Sequence, residues 1–82
     1  MFNIEWKENA IRDLNKLNKI IAKRIFTKVS ELKTNPYSKN IKRLRGENSF
    51  RLRIGDYRVL FEIDKEIITI LKIGHRKNIY KK

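Results

Sequence analysis

The chain has 82 residues, of which 21 are Lys or Arg and 9 are Asp or Glu, so its formal net charge is +12. A chain of this length forms one domain with a simple core, which leaves little room for a deep substrate cavity. Solubility needs a charge of only about 2–8 on a small domain, so the excess indicates a polyanionic partner, most often a nucleic acid. We therefore predict a single domain over residues 1–82 that binds a nucleic acid or an acidic protein.

The cysteine and histidine content restricts the possible metal chemistry. The sequence has no Cys and one His, which excludes disulfides and Cys-ligated zinc and leaves too few ligands for a His-based site. We therefore predict no metal and no other cofactor. No apolar stretch approaches the ~20 residues that span a bilayer, and Met1–Trp6 lacks the form of a signal peptide. We expect a cytoplasmic protein with no membrane partner.

The first half of the chain is predicted to form a strand and two helices. Phe2, Ile4 and Trp6 alternate with polar residues, as in a short strand. Apolar residues then recur at helical spacing in two stretches. Asn18 lies between these stretches and is suited to cap the second helix, and Pro36 ends the helical region. The apolar positions are Ala10, Ile11, Leu14 and Leu17 in the first helix and Ile21, Ile25, Val29 and Leu32 in the second.

The second half of the chain has the alternation typical of strands. Ile41–Leu44 is a candidate edge strand, and residues 50–54 and 57–63 flank Gly55-Asp56, a two-residue turn signal of β-hairpins. Ile67–Ile73 is apolar at most positions, which favours a central strand. We predict an α+β fold of order β-α-α-β-β-β, with the helical hairpin packed on one face of a mainly antiparallel sheet.

Three arginines are predicted to share the open face of this hairpin. With a two-residue loop, Arg53 lies opposite Arg58, and Arg51 is on the same face, while the apolar residues face the helices. Like charges directly opposite one another destabilise a sheet by about 0.2–1 kcal/mol, and an anion bridging them would reverse that effect. Arginine also binds phosphate with two parallel hydrogen bonds. The alternative is a solvated basic face that prevents edge-to-edge aggregation.

The segment 73–80 is predicted to bring further functional groups to the same end of the sheet. It contains Arg76, the only histidine, His75, and Tyr80. Taken alone, His75 is more often a surface residue without function, and Tyr80 is suited to pack the C-terminus. Beside three aligned arginines, the segment adds a phosphate-binding group and two side chains able to stack on a base or move a proton.

These residues together resemble a known family. The stretch 55–63, Gly-Asp-Tyr-Arg-Val-Leu-Phe-Glu-Ile, followed by an apolar strand and Gly74-His75-Arg76, is similar to the RelE/ParE toxin superfamily. Leu44-Arg45-Gly46 and the helical stretch Leu14–Ala22 also fit, so the likeness covers nearly the whole chain. The RelE branch implies a metal-independent mRNA interferase of a type II toxin-antitoxin system, which cleaves mRNA in the ribosomal A site by attack of the 2′-OH on the adjacent phosphodiester.

The resemblance also implies roles for individual residues. Arg51 and Arg53 match basic positions near the 2′-OH and the scissile phosphate. Arg58 matches the arginine that stabilises the transition state, and Arg76 matches the arginine linked to protonation of the leaving group. Tyr80 matches a tyrosine that orients or stacks on a base, although its spacing from Arg76 is shorter than in some relatives.

The identity of the general base is left open by the sequence. Some members of the family have lysine where this chain has Arg51 and Arg53, and a lysine can serve as a base. Arginine is a poor base because it is essentially never neutral, so Arg51 and Arg53 are interpreted as electrostatic stabilisers. His75 is the candidate because histidine gains and loses a proton near neutral pH. The resemblance and the charge together imply an acidic, RelB-like antitoxin, besides the ribosome and mRNA, as partners. The alternatives are a ParE-like toxin that inhibits DNA gyrase, or an inactive relative that only binds nucleic acid or an antitoxin.

Overall fold

A computed structural model describes residues 1–45 and 48–79 of the chain. Its elements, in chain order, are β1 (Asn3–Trp6), α1 (Glu8–Asn15), α2 (Lys19–Ser30), a 3-10 turn (Glu31–Lys33), β2 (Ile41–Arg43), β3 (Ser49–Ile54), β4 (Tyr57–Asp64) and β5 (Ile67–His75). The candidate edge strand is a real strand, so the order is β-α-α-β-β-β-β, one strand longer than predicted. The α+β class and the helical hairpin on one face of the sheet are confirmed.

The five strands form one sheet in the order β1-β5-β4-β3-β2. β5 pairs in parallel with β1 and antiparallel with β4, which explains why it is the most apolar strand. The β3-β4 hairpin has the predicted register, with Ile54 opposite Tyr57 and Arg53 opposite Arg58. Gly55 makes this tight turn possible because it adopts a left-handed φ of 57°, a conformation that a Cβ atom disfavours.

The helices cover one face of the sheet and define the core. Ile25 and Val29 of α2 are fully buried against Val59 and Phe61 of β4 and the apolar residues of β5. Asn18 caps α2 as predicted, since its Oδ1 accepts a hydrogen bond from the backbone N–H of Ile21 at 3.0 Å. The arginines of the hairpin therefore lie on its opposite face, which the helices do not cover.

The sheet is irregular near the point where α1 contacts β5. The register of β4 and β5 shifts between Leu60 and Phe61, so the ladder is interrupted at this point. Close by, the backbone N–H of Ile73 donates to Asp13 Oδ2 of α1 at 3.0 Å.

None of the helices in the described part of the chain has the length and apolar character needed to cross a bilayer.

Candidate nucleic-acid interface

A groove of about 820 Å³ lies where the turn of the β3-β4 hairpin meets the C-terminal half of α2. Its walls come from three separate parts of the chain: α2 with the segment that follows it, the hairpin, and the residues after β5. Five cationic and two anionic side chains line it, for a net charge of +3. The cations are Arg24, Lys28, Arg53, Arg58 and Arg76, and the anions are Glu31 and Asp56.

The hairpin supplies two of the cations, and their surroundings differ. Arg58 is half-buried, and its Nη1 donates to the carbonyl oxygens of Gly55 and Tyr57, both at 2.9 Å. These bonds hold its guanidinium beside two carbonyl oxygens of the turn, whose partial negative charge stabilises it. Arg53 is exposed, and only its backbone N–H is tied down, by a bond to the carbonyl of Asn40 at 2.9 Å. The hairpin thus supplies one arginine that is fixed by hydrogen bonds and one whose side chain makes none within the described residues.

Asp56 of the hairpin turn connects to Arg76 in two ways. The backbone N–H of Arg76 donates to the carbonyl oxygen of Asp56 at 2.7 Å, and Arg76 Nε lies 3.4 Å from Asp56 Oδ1. Both side chains are more than half exposed, so the ion pair adds little to stability. Its effect is geometric, because it holds the segment after β5 against the hairpin with the guanidinium of Arg76 at the groove.

The residues after β5 form a tight turn that fixes the position of Arg76. His75 accepts hydrogen bonds at its carbonyl oxygen from the N–H groups of Asn78 and Ile79, both at 2.9 Å. Ile79 is 2% exposed and packs against Gly74, where an added Cβ would come within 2.9 Å of the Ile79 side chain. The absence of a side chain at Gly74 therefore allows the chain to fold back on the sheet directly after Arg76.

The side chain of His75 lies on the helix-covered face of the sheet. It is opposite Tyr57, its ring contacts that of Tyr57 edge-to-face at 5.5 Å, and its Nδ1 accepts the backbone N–H of Lys77 at 3.1 Å. His75 does not line the groove. In this structure the imidazole supports the turn that carries Arg76.

The other two predicted site residues have different placements. Arg51 is on the same face of β3 as Arg53, opposite Leu60, but it is further from the turn and outside the groove lining. Its Nε is buried with no hydrogen-bond partner among residues 1–45 and 48–79. Tyr80 lies outside the described residues. The structure thus brings Arg53, Arg58 and Arg76 together and separates them from Arg51 and His75.

Four charged residues of the groove, Arg24, Lys28, Glu31 and Asp56, were not predicted as site residues from the sequence. Arg24 and Lys28 are four residues apart on α2, a spacing that places them on one helix face, but nothing in the pattern shows that this face borders the hairpin turn. Asp56 was assigned only to the turn. The position of the Asp56 carboxylate between two arginine-containing strands was the available signal for an ion pair. Its partner, Arg76, lies 20 positions later and is brought to it only because the chain folds back after β5.

Comparison with known proteins connects this arrangement to a family. Residues 4–80 match the family described as "ParE toxin of type II toxin-antitoxin system, parDE". A curated relative named "Putative toxin RelE1", from Methanocaldococcus jannaschii, is 38% identical over 98% of this chain and 96% of its own length. The chain belongs to the RelE/ParE toxin superfamily. All of the predicted site residues and the four additional groove residues lie within the matched span.

Solved structures of RelE/ParE superfamily members have the same fold. The toxin of the RelBE2 toxin-antitoxin complex from Mycobacterium tuberculosis is 31% identical, with a TM-score of 0.81 over 92% of this chain and 98% of that one. A chain of the archaeal RelE-RelB complex from Pyrococcus horikoshii has a TM-score of 0.84 at 24% identity, over 94% of this chain and 97% of that one, which shows a common fold. The predicted membership in the superfamily is confirmed.

Proposed function

We propose that this RelE-family toxin is a ribosome-dependent endoribonuclease that cleaves mRNA in the A site and thereby inhibits translation. The observation that supports this most directly is the convergence of Arg53 and Arg58 of the hairpin with Arg76, some 20 residues later, on one groove. Guanidinium groups bind phosphate oxygens with paired hydrogen bonds and keep their charge at any physiological pH. A groove built in this way suits an RNA phosphodiester.

The reaction needs positive charge at the phosphorus and two proton transfers. The 2′-oxygen attacks the adjacent phosphorus and loses its proton, the bond from phosphorus to the 5′-oxygen breaks, and the leaving oxygen gains a proton. The products are a 2′,3′-cyclic phosphate and a free 5′-hydroxyl. Arg58, held by two backbone carbonyls, is suited to stabilise the additional negative charge of the transition state without reorganisation. Arg53 binds the same phosphate, and Arg76 stabilises the leaving oxygen as its proton arrives.

His75 and Tyr80 are the candidates from the sequence to accept and donate these protons. The imidazole of His75 supports a backbone turn outside the groove lining. A supporting role is consistent with that placement, because loss of the imidazole would affect catalysis through Arg76. Arg51 lies next to the groove on β3 and extends the basic surface along the RNA.

The ribosome supplies what the groove lacks. An open basic surface binds an RNA backbone but does not force the 2′-oxygen into line with the leaving oxygen. Correct positioning of reacting groups is worth about 7–11 kcal/mol of barrier in the best cases. We propose that the ribosome holds the mRNA in that geometry, while the exposed lysines of the helical hairpin bind phosphates of ribosomal RNA. The net charge of +12 favours such docking.

The same family assignment supports a protein partner. The structures of the relatives contain RelB-type antitoxins bound to RelE-type toxins. We propose that this chain pairs with an acidic, RelB-like antitoxin, since a partner of opposite charge is favoured by a surface with 21 cationic and 9 anionic residues.

A cleavage assay on ribosomes programmed with a defined mRNA tests the enzymatic proposal. The wild-type protein is expected to cut mRNA in the A site and to leave the same RNA almost intact in free solution. Arg58→Ala and Arg76→Ala should each reduce the single-turnover rate at least about 100-fold while ribosome binding is largely retained, because many other cations remain. A small effect of His75→Ala would assign the proton acceptor to Tyr80 or to the ribosome.

Two results would contradict the proposal. Efficient cleavage of naked RNA by the wild-type protein would exclude the requirement for the ribosome. Inhibition of gyrase supercoiling without any RNA cleavage would instead support the ParE-like function that the family description names.

A further inference from the structure

We propose that α2 forms a second RNA-binding wall of the groove, in which Arg24 binds the phosphate next to the scissile one on the same strand. This inference rests on the proposed RNA substrate and adds to the RNA contacts a residue from the helical hairpin. The phosphate contacts proposed above come from the hairpin and from the residues after β5. Arg24 approaches it from the opposite side.

The position of Arg24 is defined by its contact with the hairpin turn. Its guanidinium atoms lie 3.5–3.7 Å from the place that a Cβ at Gly55 would occupy, so the side chain crosses from the helix to the turn. Arg24 also borders a smaller cleft of about 190 Å³, so it lies between the two cavities. The other residues that line this cleft are Ile21, Ile25, Ile54, Tyr57 and Asp56. The aliphatic stem of Arg24 has apolar neighbours while its charged end reaches the groove.

Arg24 is available for an anion. It makes no ion pair or side-chain hydrogen bond with any residue in the ranges 1–45 and 48–79. By contrast, Arg76 is paired with Asp56, and Lys28 lies 3.7 Å from Glu31. A guanidinium that lies beside the turn, with its donors not used by the residues that the structure describes, can bind phosphate with two parallel hydrogen bonds.

The cations of the helix and of the hairpin meet at the hairpin turn. Arg58 Nη1 donates to the carbonyl oxygen of Gly55 at 2.9 Å, and the Arg24 guanidinium lies 3.5–3.7 Å from the Cβ position of the same residue. A strand whose scissile phosphate lies at Arg58 therefore brings a neighbouring phosphate to Arg24. A single phosphate held by the hairpin leaves the donors of Arg24 unused.

Binding of a 2′-O-methyl RNA hexamer, which cannot be cleaved by 2′-OH attack, tests this arrangement on the full chain. Arg24→Gln should weaken binding about 3- to 10-fold and reduce the slope of log K against log salt by about 0.7, the value for one contact with single-stranded RNA. Lys23→Gln is the matched control, because Lys23 is the adjacent exposed cation of α2 and does not line the groove. Arg24→Lys should restore part of the affinity.

A second comparison identifies the phosphate involved. On programmed ribosomes, an mRNA with a neutral methylphosphonate in place of a phosphate adjoining the scissile one should be cleaved more slowly by the wild-type protein. In the Arg24→Gln variant, a methylphosphonate at the phosphate that Arg24 contacts should not slow cleavage further. The effects of the protein substitution and of the RNA replacement would then be non-additive.

The outcomes separate this inference from the enzymatic proposal. Equal effects of Arg24→Gln and Lys23→Gln on hexamer binding would overturn it, as would multiplicative effects of Arg24→Gln with methylphosphonates on both sides of the cleavage site. A selective loss of binding with Arg24→Gln, together with no cleavage by the wild-type protein, would support the second wall and overturn the nuclease. Normal cleavage by the Arg24→Gln variant, together with an inactive Arg58→Ala variant, would support the nuclease and overturn the second wall.

Discussion

At the level of single residues, the arginine pair of the hairpin illustrates how a repulsive contact is tolerated. Arg53 and Arg58 lie directly opposite one another, which in an isolated sheet costs about 0.2–1 kcal/mol. The hydrogen bonds from Arg58 to two carbonyls of the turn offset this repulsion, because they place one of the positive charges beside two carbonyl oxygens. The remaining positive charge on Arg53 has no stabilising partner in the described residues, so its presence is better explained by an anionic ligand.

Substitution of Arg53 is expected to separate stability from activity. Arg53→Thr removes the repulsion and places a residue with high strand propensity on the sheet, so the free energy of unfolding should stay within about 0.5 kcal/mol of the wild type or rise slightly. Cleavage on programmed ribosomes should fall at least about tenfold, since a phosphate contact is lost. Thermal denaturation and single-turnover kinetics measure the two effects.

Lys72→Thr is the control for this substitution. Lys72 is an exposed cation opposite Leu60, on the same face of the sheet as Arg58 but outside the groove lining. It should change activity much less than Arg53→Thr. A clear loss of stability in Arg53→Thr would show that Arg53 has a structural role.

At the level of elements, the hairpin and the turn after β5 act as one unit. Asp56 contacts Arg76 through both its backbone and its carboxylate, and the packing of Ile79 on Gly74 holds the other side of the turn. Arg76 is therefore positioned by three separate contacts although its side chain is exposed. The arrangement explains how a chain of 82 residues orders an exposed cation at the groove.

Asp56→Asn tests the positioning of Arg76. The variant retains a turn-forming residue and removes only an exposed ion pair, so stability should change by less than about 1 kcal/mol. The groove loses one negative charge, which should leave RNA binding unchanged or slightly tighter. The single-turnover rate at saturating ribosomes should nevertheless fall about tenfold, because the guanidinium is less well oriented. Asp64→Asn, in the exposed turn at the other end of β4, is the control, and an unchanged rate with Asp56→Asn would exclude the positioning role.

The fold was more predictable from the sequence than the site because the two depend on different information. Local patterns contain the strand alternation, the Asn18 cap and the register around Gly55, and each of these was confirmed. The groove depends on where α2 crosses the sheet, which is a property of tertiary packing. The sequence therefore predicted three arginines of the groove but missed Arg24. It also placed His75 beside them, since the side chain of a strand residue is assigned to a face only when the pairing register is known.

At the level of the whole molecule, charge and exposed apolar surface have different distributions. The groove is cationic, whereas several apolar side chains on the helical side are exposed, among them Ile20 at 83%, Phe26 at 52% and Ile11 at 45%. A protein partner that docks on the helical side would remove these side chains from water, which favours association. An acidic chain with amphipathic segments would bind both surfaces, because its acidic residues would contact the cationic groove and its apolar residues would cover the exposed apolar side chains.

Coexpression with its antitoxin is expected to give a stable complex in which the toxin is no longer toxic. An acidic chain that wraps the domain in extended or helical form should cover or distort the Arg51, Arg53 and Arg58 face, because that face has the most concentrated unpaired charge of the hairpin. The complex should therefore bind the 2′-O-methyl RNA hexamer much more weakly than the free toxin. Substituting Arg53 and Arg58 together should increase the rate of antitoxin dissociation and reduce the salt dependence of association. If the toxin alone can be produced in quantity without growth arrest, or if the complex binds RNA as well as the free toxin does, the antitoxin does not act by occupying this face.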